Sequence, residues 1–135
     1  EAKAMDAQKD LQIQDVFTRY GKKKNVTMVE LSNEMLETYG MTHYKSITIK
    51  DDAEALRFTR QCLEADQKGA RKIKEVVDDG GVISAYYQLP GKKQDLNRFV
   101  LFKVSKQGVI TLVYIEGDLD SDDLITLLFT GKAFE

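Results

Sequence analysis

The feature that most constrains the fold is the apolar segment at residues 98–117, RFVLFKVSKQGVITLVYIEG. Its two apolar runs are rich in β-branched and aromatic residues, which suit a pleated sheet because their limited χ1 freedom costs little there. Gln107-Gly108 separates the runs and predicts a tight turn, since glycine adopts positive φ without steric cost. Neither run alternates between apolar and polar residues. We therefore expect both faces of this hairpin to be covered.

A second hairpin is predicted immediately before the first. Two β-prone runs, residues 71–77 and 82–88, flank Asp79-Gly80, which is among the strongest short-range hairpin signals. Residues 71–116 thus contain four successive strands with short connections. Such an arrangement favours an antiparallel meander, because parallel neighbours need long crossover connections.

Helices and two more strands are expected around this meander. Apolar residues that recur every three or four positions predict helices at residues 5–20, 32–39 and 52–68, and a fourth from about 120. Gly21 is expected to stop the first helix as its C′ residue. Further strands are expected at 25–30, with Val26, Met28 and Val29 available for burial, and at 44–50. The predicted fold class is α+β: a mostly antiparallel sheet covered by three to four helices.

Composition indicates one globular domain and excludes two classes of protein. The 135 residues are 42% hydrophobic and 31% charged, and no linker or repeat divides them, so we expect a single α+β domain over 1–135. With 20 basic and 22 acidic residues, broad nucleic-acid binding is not expected, because such binding depends on neutralising phosphates. No apolar run approaches the roughly 18 residues that a transmembrane helix needs.

The first ten residues, EAKAMDAQKD, are polar and rich in alanine. We expect residues 1–10 to be a flexible mature N-terminus. Removal of an export signal or lipoprotein anchor is one interpretation of this start, and a shortened expression sequence is the other.

The main candidate ligand-binding site is a group of four aspartates near the C-terminus, Asp118, Asp120, Asp122 and Asp123. We call this group the acidic turn. Alternate aspartates resemble the start of a calcium loop, but the sixth position is Asp123 instead of glycine, and the twelfth is Phe129 instead of glutamate. The favoured interpretation is a helix N-terminus, with Asp120 or Ser121 as the cap. Small-ligand or cation binding at the acidic turn stays open as an alternative.

Tyr86 and Tyr87 are the second candidate for ligand or partner contact. Adjacent residues of a strand point to opposite faces, so one of the two should be in the core. The other could contribute to a groove or an interface, where aromatic residues are enriched.

The sequence predicts no catalytic residue, no metal ligand and no cofactor. His43 is the only histidine and is expected in a polar loop, with no partner suggested by spacing. Cys62, the only cysteine, is expected to be a small buried hydrophobe in a helix. Together they exclude a zinc site made of nitrogen and sulfur ligands alone. A hydrolase-type enzyme would need carboxylates that only the fold could bring together, and it stays open as a further alternative.

Turn and cap motifs in two parts of the chain resemble one known family. Residues 15–36, DVFTRYGKKKNVTMVELSNEML, join an aromatic helix end, a lysine-rich turn, a short strand and a serine at a helix start. The strand in KIKEVVDDGGVISAYYQ ends in an Asp-Gly-Gly turn, and GDLD precedes the last helix. These patterns resemble a family of small exported domains of unknown function from Bacteroidetes, over about residues 15–128.

The resemblance implies a leader peptide, often of the lipoprotein type, and a location in the periplasm or cell envelope. It implies no catalytic residues, because none are established for that family. We therefore predict a non-enzymatic envelope domain that contacts an envelope protein or a cell-surface component, with a possible lipid anchor upstream of residue 1. No nucleic-acid partner is expected.

Overall fold

A computed structural model describes residues 11–78, 80–90 and 96–124 of the chain. The helices with full bounds are α1 (Gln14–Tyr20), α2 (Asn33–Thr38) and α3 (Ala53–Asp66), and residues 121–124 are also helical. The strands are β1 (Val26–Glu30), β2 (Met41–Ile49), β3 (Arg71–Asp78), β4 (Gly81–Leu89), β5 (Asn97–Val104) and β6 (Ile110–Gly117). The predicted flexible residues 1–10 and most of the final apolar run, 125–129, lie outside the described residues.

The strands form one six-stranded antiparallel sheet in the order β1-β2-β6-β5-β4-β3. Strands β3 to β6 are successive neighbours, which confirms the predicted four-strand meander and the α+β class. Strand β2 joins the meander at β6, and α3 carries the chain from β2 to the far edge at β3. None of the helices in the described ranges is long and apolar enough to cross a membrane.

The hairpin formed by β5 and β6 lies in the middle of the sheet and is covered on both faces. Val100 and Phe102 pack beneath α1 and α3, on what we call the helix-covered face. Phe99 and Leu101 belong to a separate cluster on the opposite face, with Leu119 and Leu124 from the segment after β6 and Leu36 and Tyr39 from the α2 region. All four hairpin side chains are buried. The expectation of two covered faces is therefore confirmed.

Helix α1 is shorter than predicted because a distant carboxylate fixes the backbone before it. The Asp66 side chain, at the end of α3, accepts hydrogen bonds from the backbone N–H of Gln12 at 2.7 Å and of Ile13 at 2.8 Å. Residues 11–13 are consequently not α-helical, and α1 begins at Gln14. The predicted start near residue 5 lies outside the described residues.

The helix stop predicted at Gly21 is confirmed, whereas the expected burial of Val29 was wrong. Gly21 follows α1 with φ −61°, a right-handed conformation, and it lies close to Met28 and the Phe17 carbonyl, where a Cβ would not fit. Its small size is therefore the feature that this position uses. Val29 is 43% exposed instead of buried, because β1 is an edge strand whose Val26 and Met28 point to the helix-covered face.

Candidate functional site

The acidic turn forms a helix cap from its own carboxylates. Asp120 Oδ1 accepts a hydrogen bond from the Asp123 backbone N–H at 2.8 Å, and Asp123 Oδ2 accepts one from the Asp120 N–H at 3.3 Å. This reciprocal pair satisfies N–H groups that a helix start leaves without partners. Asp120 is therefore one of the two caps that were predicted. Ligand binding by the acidic turn, Asp118, Asp120, Asp122 and Asp123, stays a prediction.

The two adjacent tyrosines point to opposite faces, as expected. Tyr87 is buried beneath α3, and its hydroxyl donates to the Leu63 carbonyl at 3.4 Å. Burial raises the pKa of Tyr87, and the nearby Asp66 and Cys62 raise it further. Tyr86 is half-buried beside the cluster on the opposite face.

A chain of buried polar side chains, which sequence reasoning missed, lies on the helix-covered face at the end of β5 and β6. Arg98 and Glu116 are opposite each other in the β5–β6 register and are only 3% and 5% exposed. Arg98 Nε donates to the Tyr114 hydroxyl at 2.7 Å, and that hydroxyl donates to Glu116 Oε2 at 2.8 Å. We call these residues the Arg98–Tyr114–Glu116 chain. It could have been found by folding the predicted hairpin about residue 107, which brings Arg98 close to Glu116.

His43 extends this chain from the neighbouring strand. It lies within β2, so its predicted location in a loop was wrong. Pairing with β6 lengthens β2 and places His43 opposite Glu116, with Nδ1 3.8 Å from Glu116 Oε2. That Nδ1 is buried and has no hydrogen-bond partner among the described residues. No local signal could have revealed this contact, because tertiary pairing creates it.

The chemistry of this group is that of a hydrogen-bonded network within the sheet. Burial raises the pKa of Tyr114, against a lowering by Arg98, so the phenol stays protonated and donates to Glu116. Acid–base catalysis by His43 and Glu116 would need space for a substrate beside them. A cavity of about 260 Å³ lies between α3 and the β3–β4 hairpin, and its lining residues do not include members of this network.

The side chains most often used as metal ligands do not gather in groups of three in the part of the chain that the structure describes. No group of three or more His, Cys, Asp or Glu side chains within residues 11–78, 80–90 and 96–124 could hold a metal ion.

Among the described residues, the most exposed large apolar side chain is Val77, on strand β3 at one edge of the sheet. Most of the residues of β3 are exposed, and no described strand pairs with its outer edge. Val76 is 38% exposed and Val77 is 61% exposed. An edge strand offers unpaired backbone N–H and C=O groups, and exposed apolar side chains add a driving force for pairing.

The tip of the β3–β4 hairpin is held in place by Arg60 of α3. Its Nη1 donates to the Gly80 carbonyl at 2.9 Å, and its Nη2 donates to the Val82 carbonyl at 2.9 Å. Gly81 has φ +117°, a conformation that side-chain-bearing residues rarely adopt, so this turn requires glycine. The exposed edge at Val76 and Val77 is therefore attached to the helix layer.

Comparison with known proteins identifies a family but no activity. No curated protein matches the sequence. Among solved structures, the protein of unknown function PA94 from Pseudomonas aeruginosa, described as a putative regulator, is 15% identical with a TM-score of 0.39, over 82% of this chain and 79% of that one. The family of unknown function DUF6108 matches residues 2–128, so the chain belongs to the DUF6108 family.

Proposed function

We propose that this protein is a non-enzymatic module of the cell envelope that binds another protein chain along the outer edge of β3. The observation that carries the proposal is the exposed apolar pair Val76 and Val77 on an edge strand. The envelope location is supported by the resemblance to exported domains of Bacteroidetes. A lipid anchor upstream of residue 1 would be compatible with this location.

The two halves of β3 differ in how readily a partner strand could pair with them. Register shifts between Lys72 and Lys74 and between Val76 and Val77 interrupt the ladder with β4. Lysines and irregular pairing are common means of preventing edge-to-edge association, and both lysines lie in the first half of the strand. The first shift leaves Ile73 of β3 without an opposite residue, whereas the second leaves out Ile83 of β4, so β3 itself is continuous at the valines. The second half presents the two valines. A partner strand would gain main-chain hydrogen bonds there and cover apolar surface.

Site-specific photocrosslinking tests this proposal. A photoreactive phenylalanine analogue at Val77 should crosslink to a protein in cells, whereas the same analogue at Lys103 should not. Lys103 is exposed but lies on β5, in the interior of the sheet. Crosslinks of equal yield at both positions, or none at Val77, would contradict a binding role for this edge.

Small-ligand or cation binding is a second candidate, and Asp118 is the reason to retain it. Its backbone N–H donates to the Gly40 carbonyl at 3.1 Å, and its carboxylate lies outside the reciprocal cap of Asp120 and Asp123. Calorimetry with calcium should detect heat that Asp118→Asn and Asp122→Asn remove. The absence of heat at millimolar calcium would eliminate this candidate.

An enzymatic role is the third candidate, and it depends on His43 and Glu116. A screen of hydrolase substrates should show no turnover if the module is non-enzymatic. Turnover that disappears in His43→Ala would instead identify this pair as a reaction centre and overturn the non-enzymatic proposal.

A further inference from the structure

We infer that the chain which pairs with β3 is a second copy of this protein, so that two six-stranded sheets join into one across a two-fold axis at Val76. The inference rests on the proposed function, because it names the partner for the same edge. The argument uses the faces to which the side chains of β3 point and the charges that they carry.

Symmetry restricts the possible registers. When a two-fold axis perpendicular to the sheet relates two antiparallel edge strands, residues directly opposite each other lie on the same face. In β3, Lys74 and Val76 are paired with Tyr86 and Ser84, which places them on the face opposite to α1 and α3. Asp78, two residues after Val76, shares this face. Each allowed register therefore places one residue opposite itself.

Charge selects one of these registers. An axis at Lys74 would place two lysines opposite each other, and an axis at Glu75 would do the same with two glutamates. An axis at Val77 would place Val76 opposite a carboxylate. With the axis at Val76, the two copies of Val76 meet, and each Lys74 lies opposite Asp78 of the second copy. Opposite charges directly across an antiparallel pair stabilise it, whereas like charges destabilise it.

The same register covers the apolar side chains that the single chain leaves in water. Val76, 38% exposed, would meet its own copy at the axis, and Val77, 61% exposed, would meet Glu75 of the second copy. The contact of Val77 is with the aliphatic part of that side chain. Because Arg60 holds the hairpin tip in both copies, little ordering is required on association.

The size of the contact sets the expected affinity. Pairing along part of one strand buries less than the about 800 Å² per partner of a standard interface. We therefore expect a dimer with a Kd in the micromolar range at neutral pH. Sedimentation equilibrium over a range of protein concentrations measures this value directly.

Charge exchange tests the register. Lys74→Asp should weaken the dimer by about tenfold or more, because a carboxylate would then oppose Asp78. Asp78→Lys should weaken it similarly, and the double variant should recover to within about threefold of the original Kd. Asp78 Oδ1 also accepts a hydrogen bond from the Gly80 N–H at 2.8 Å, so thermal unfolding accompanies each measurement and Lys74→Asp is the primary variant.

Disulfide formation supplies an independent geometric test. In a Cys62→Ser background, Val76→Cys should form a crosslinked dimer under mild oxidation, since the two copies of residue 76 meet at the axis. Val29→Cys provides the control, because Val29 is similarly exposed on the other edge strand, β1. Equal crosslinking at both positions would overturn the proposed pairing.

The outcomes separate this inference from the proposed function. A chain that stays monomeric at millimolar concentration, but crosslinks at Val77 to a different protein in cells, overturns self-pairing and leaves the edge as a binding surface. A chain that is monomeric and makes no crosslink at Val77 contradicts both. A dimer whose Kd is unchanged in Lys74→Asp and in the double variant overturns the Val76 register.

Discussion

One phenol joins two buried charged side chains of β5 and β6. Arg98 and Glu116 lie opposite each other, but both contact the hydroxyl of Tyr114 between them. Removing one member of a buried polar network leaves the others desolvated without compensation, which costs more than the intact interaction contributes. The hydroxyl group is thus more important for stability than its size suggests.

Replacing Tyr114 by phenylalanine tests this role. Tyr114→Phe keeps the ring in the core and removes the group that bonds Arg98 and Glu116, so we expect the free energy of unfolding to fall by about 1–3 kcal/mol. Tyr86 is half-buried on the opposite face, so Tyr86→Phe should change the free energy of unfolding by less than about 0.5 kcal/mol. Urea denaturation at neutral pH measures both. Equal losses in the two variants would show that the network does not need the hydroxyl.

The buried thiol of Cys62 should make the free energy of unfolding depend on pH. Its pKa is raised from 9.0 to about 11, mainly by burial and also by Asp66 and Asp15, against a lowering by Arg19. The folded state therefore binds the thiol proton more tightly than the unfolded state does, and the free energy of unfolding should decline as the pH rises from 9.0 to about 11. Cys62→Ala should show a shallower decline in this window. Identical pH profiles for the two proteins would contradict the assignment.

At the scale of elements, local hydrogen bonds made several boundaries predictable. The Ser32 side chain accepts a hydrogen bond from the Met35 N–H at 3.3 Å, and the Asp52 side chain accepts one from the Ala55 N–H at 2.9 Å. In both caps the donor lies only a few residues after the acceptor. Gly108 adopts φ +81° at the turn between β5 and β6. Such interactions can be read from the sequence because both partners are neighbours in it.

The features that could not be predicted depend on residues far apart in the sequence. The start of α1 is set by Asp66, and His43 is drawn into β2 by pairing with β6. The exposure of Val29 follows from the position of β1 at an edge, which no property of the strand itself reveals. Periodicity can indicate that a strand exists, but strand order decides which side chains become buried.

Replacement by alanine should destabilise the protein more at Gly117 than at Gly108. A close approach of neighbouring atoms excludes a side chain at Gly117, whereas a positive φ disfavours one at Gly108. A Cβ at Gly117 would lie 2.8 Å from Met41 Cα and 3.0 Å from a Leu119 methyl group, whereas a Cβ at Gly108 would have no neighbour within 4 Å. Gly108→Ala should cost about 1 kcal/mol through its positive φ alone. Gly117→Ala should cost about 3 kcal/mol and shift the amide NMR signals of Gly40 and Met41, since the β2–β6 junction must move. Signal changes confined to the site of substitution in both variants would contradict this distinction.

At the scale of the whole molecule, one part of the sheet pairs strands that are neighbours in the sequence, and the other part pairs strands that are far apart in it. Strands β3 to β6 pair with sequence neighbours, but β2 must reach β6 across the chain, as in the pairing of Lys45 with Tyr114. The meander can therefore form from local contacts, whereas β1 and β2 join it only after a long loop closes. Within the meander, the hairpin at the edge is the part that has fewest buried side chains.

We therefore expect the β3–β4 hairpin to open locally, without unfolding of the rest of the sheet, and Arg60 to limit how often it opens. The bonds of Arg60 to Gly80 and Val82 connect the hairpin tip to α3, so Arg60→Ala should speed amide exchange in β3 and the first half of β4 by about tenfold or more. Exchange in β5 and β6 should stay unchanged, because their protection comes from the two covered faces. Arg57→Ala, an exposed arginine on the same helix, is the matched control.

Hydrogen-exchange mass spectrometry at low protein concentration isolates this effect from self-association. Faster exchange across every strand in Arg60→Ala would mean that the hairpin does not open separately from the rest of the sheet. Faster exchange confined to β3 and β4 should be accompanied by a weaker dimer, since a strand that is no longer held in place must be ordered when it pairs. Association at the edge and local stability of the hairpin are then two consequences of the same contact between a helix and a turn.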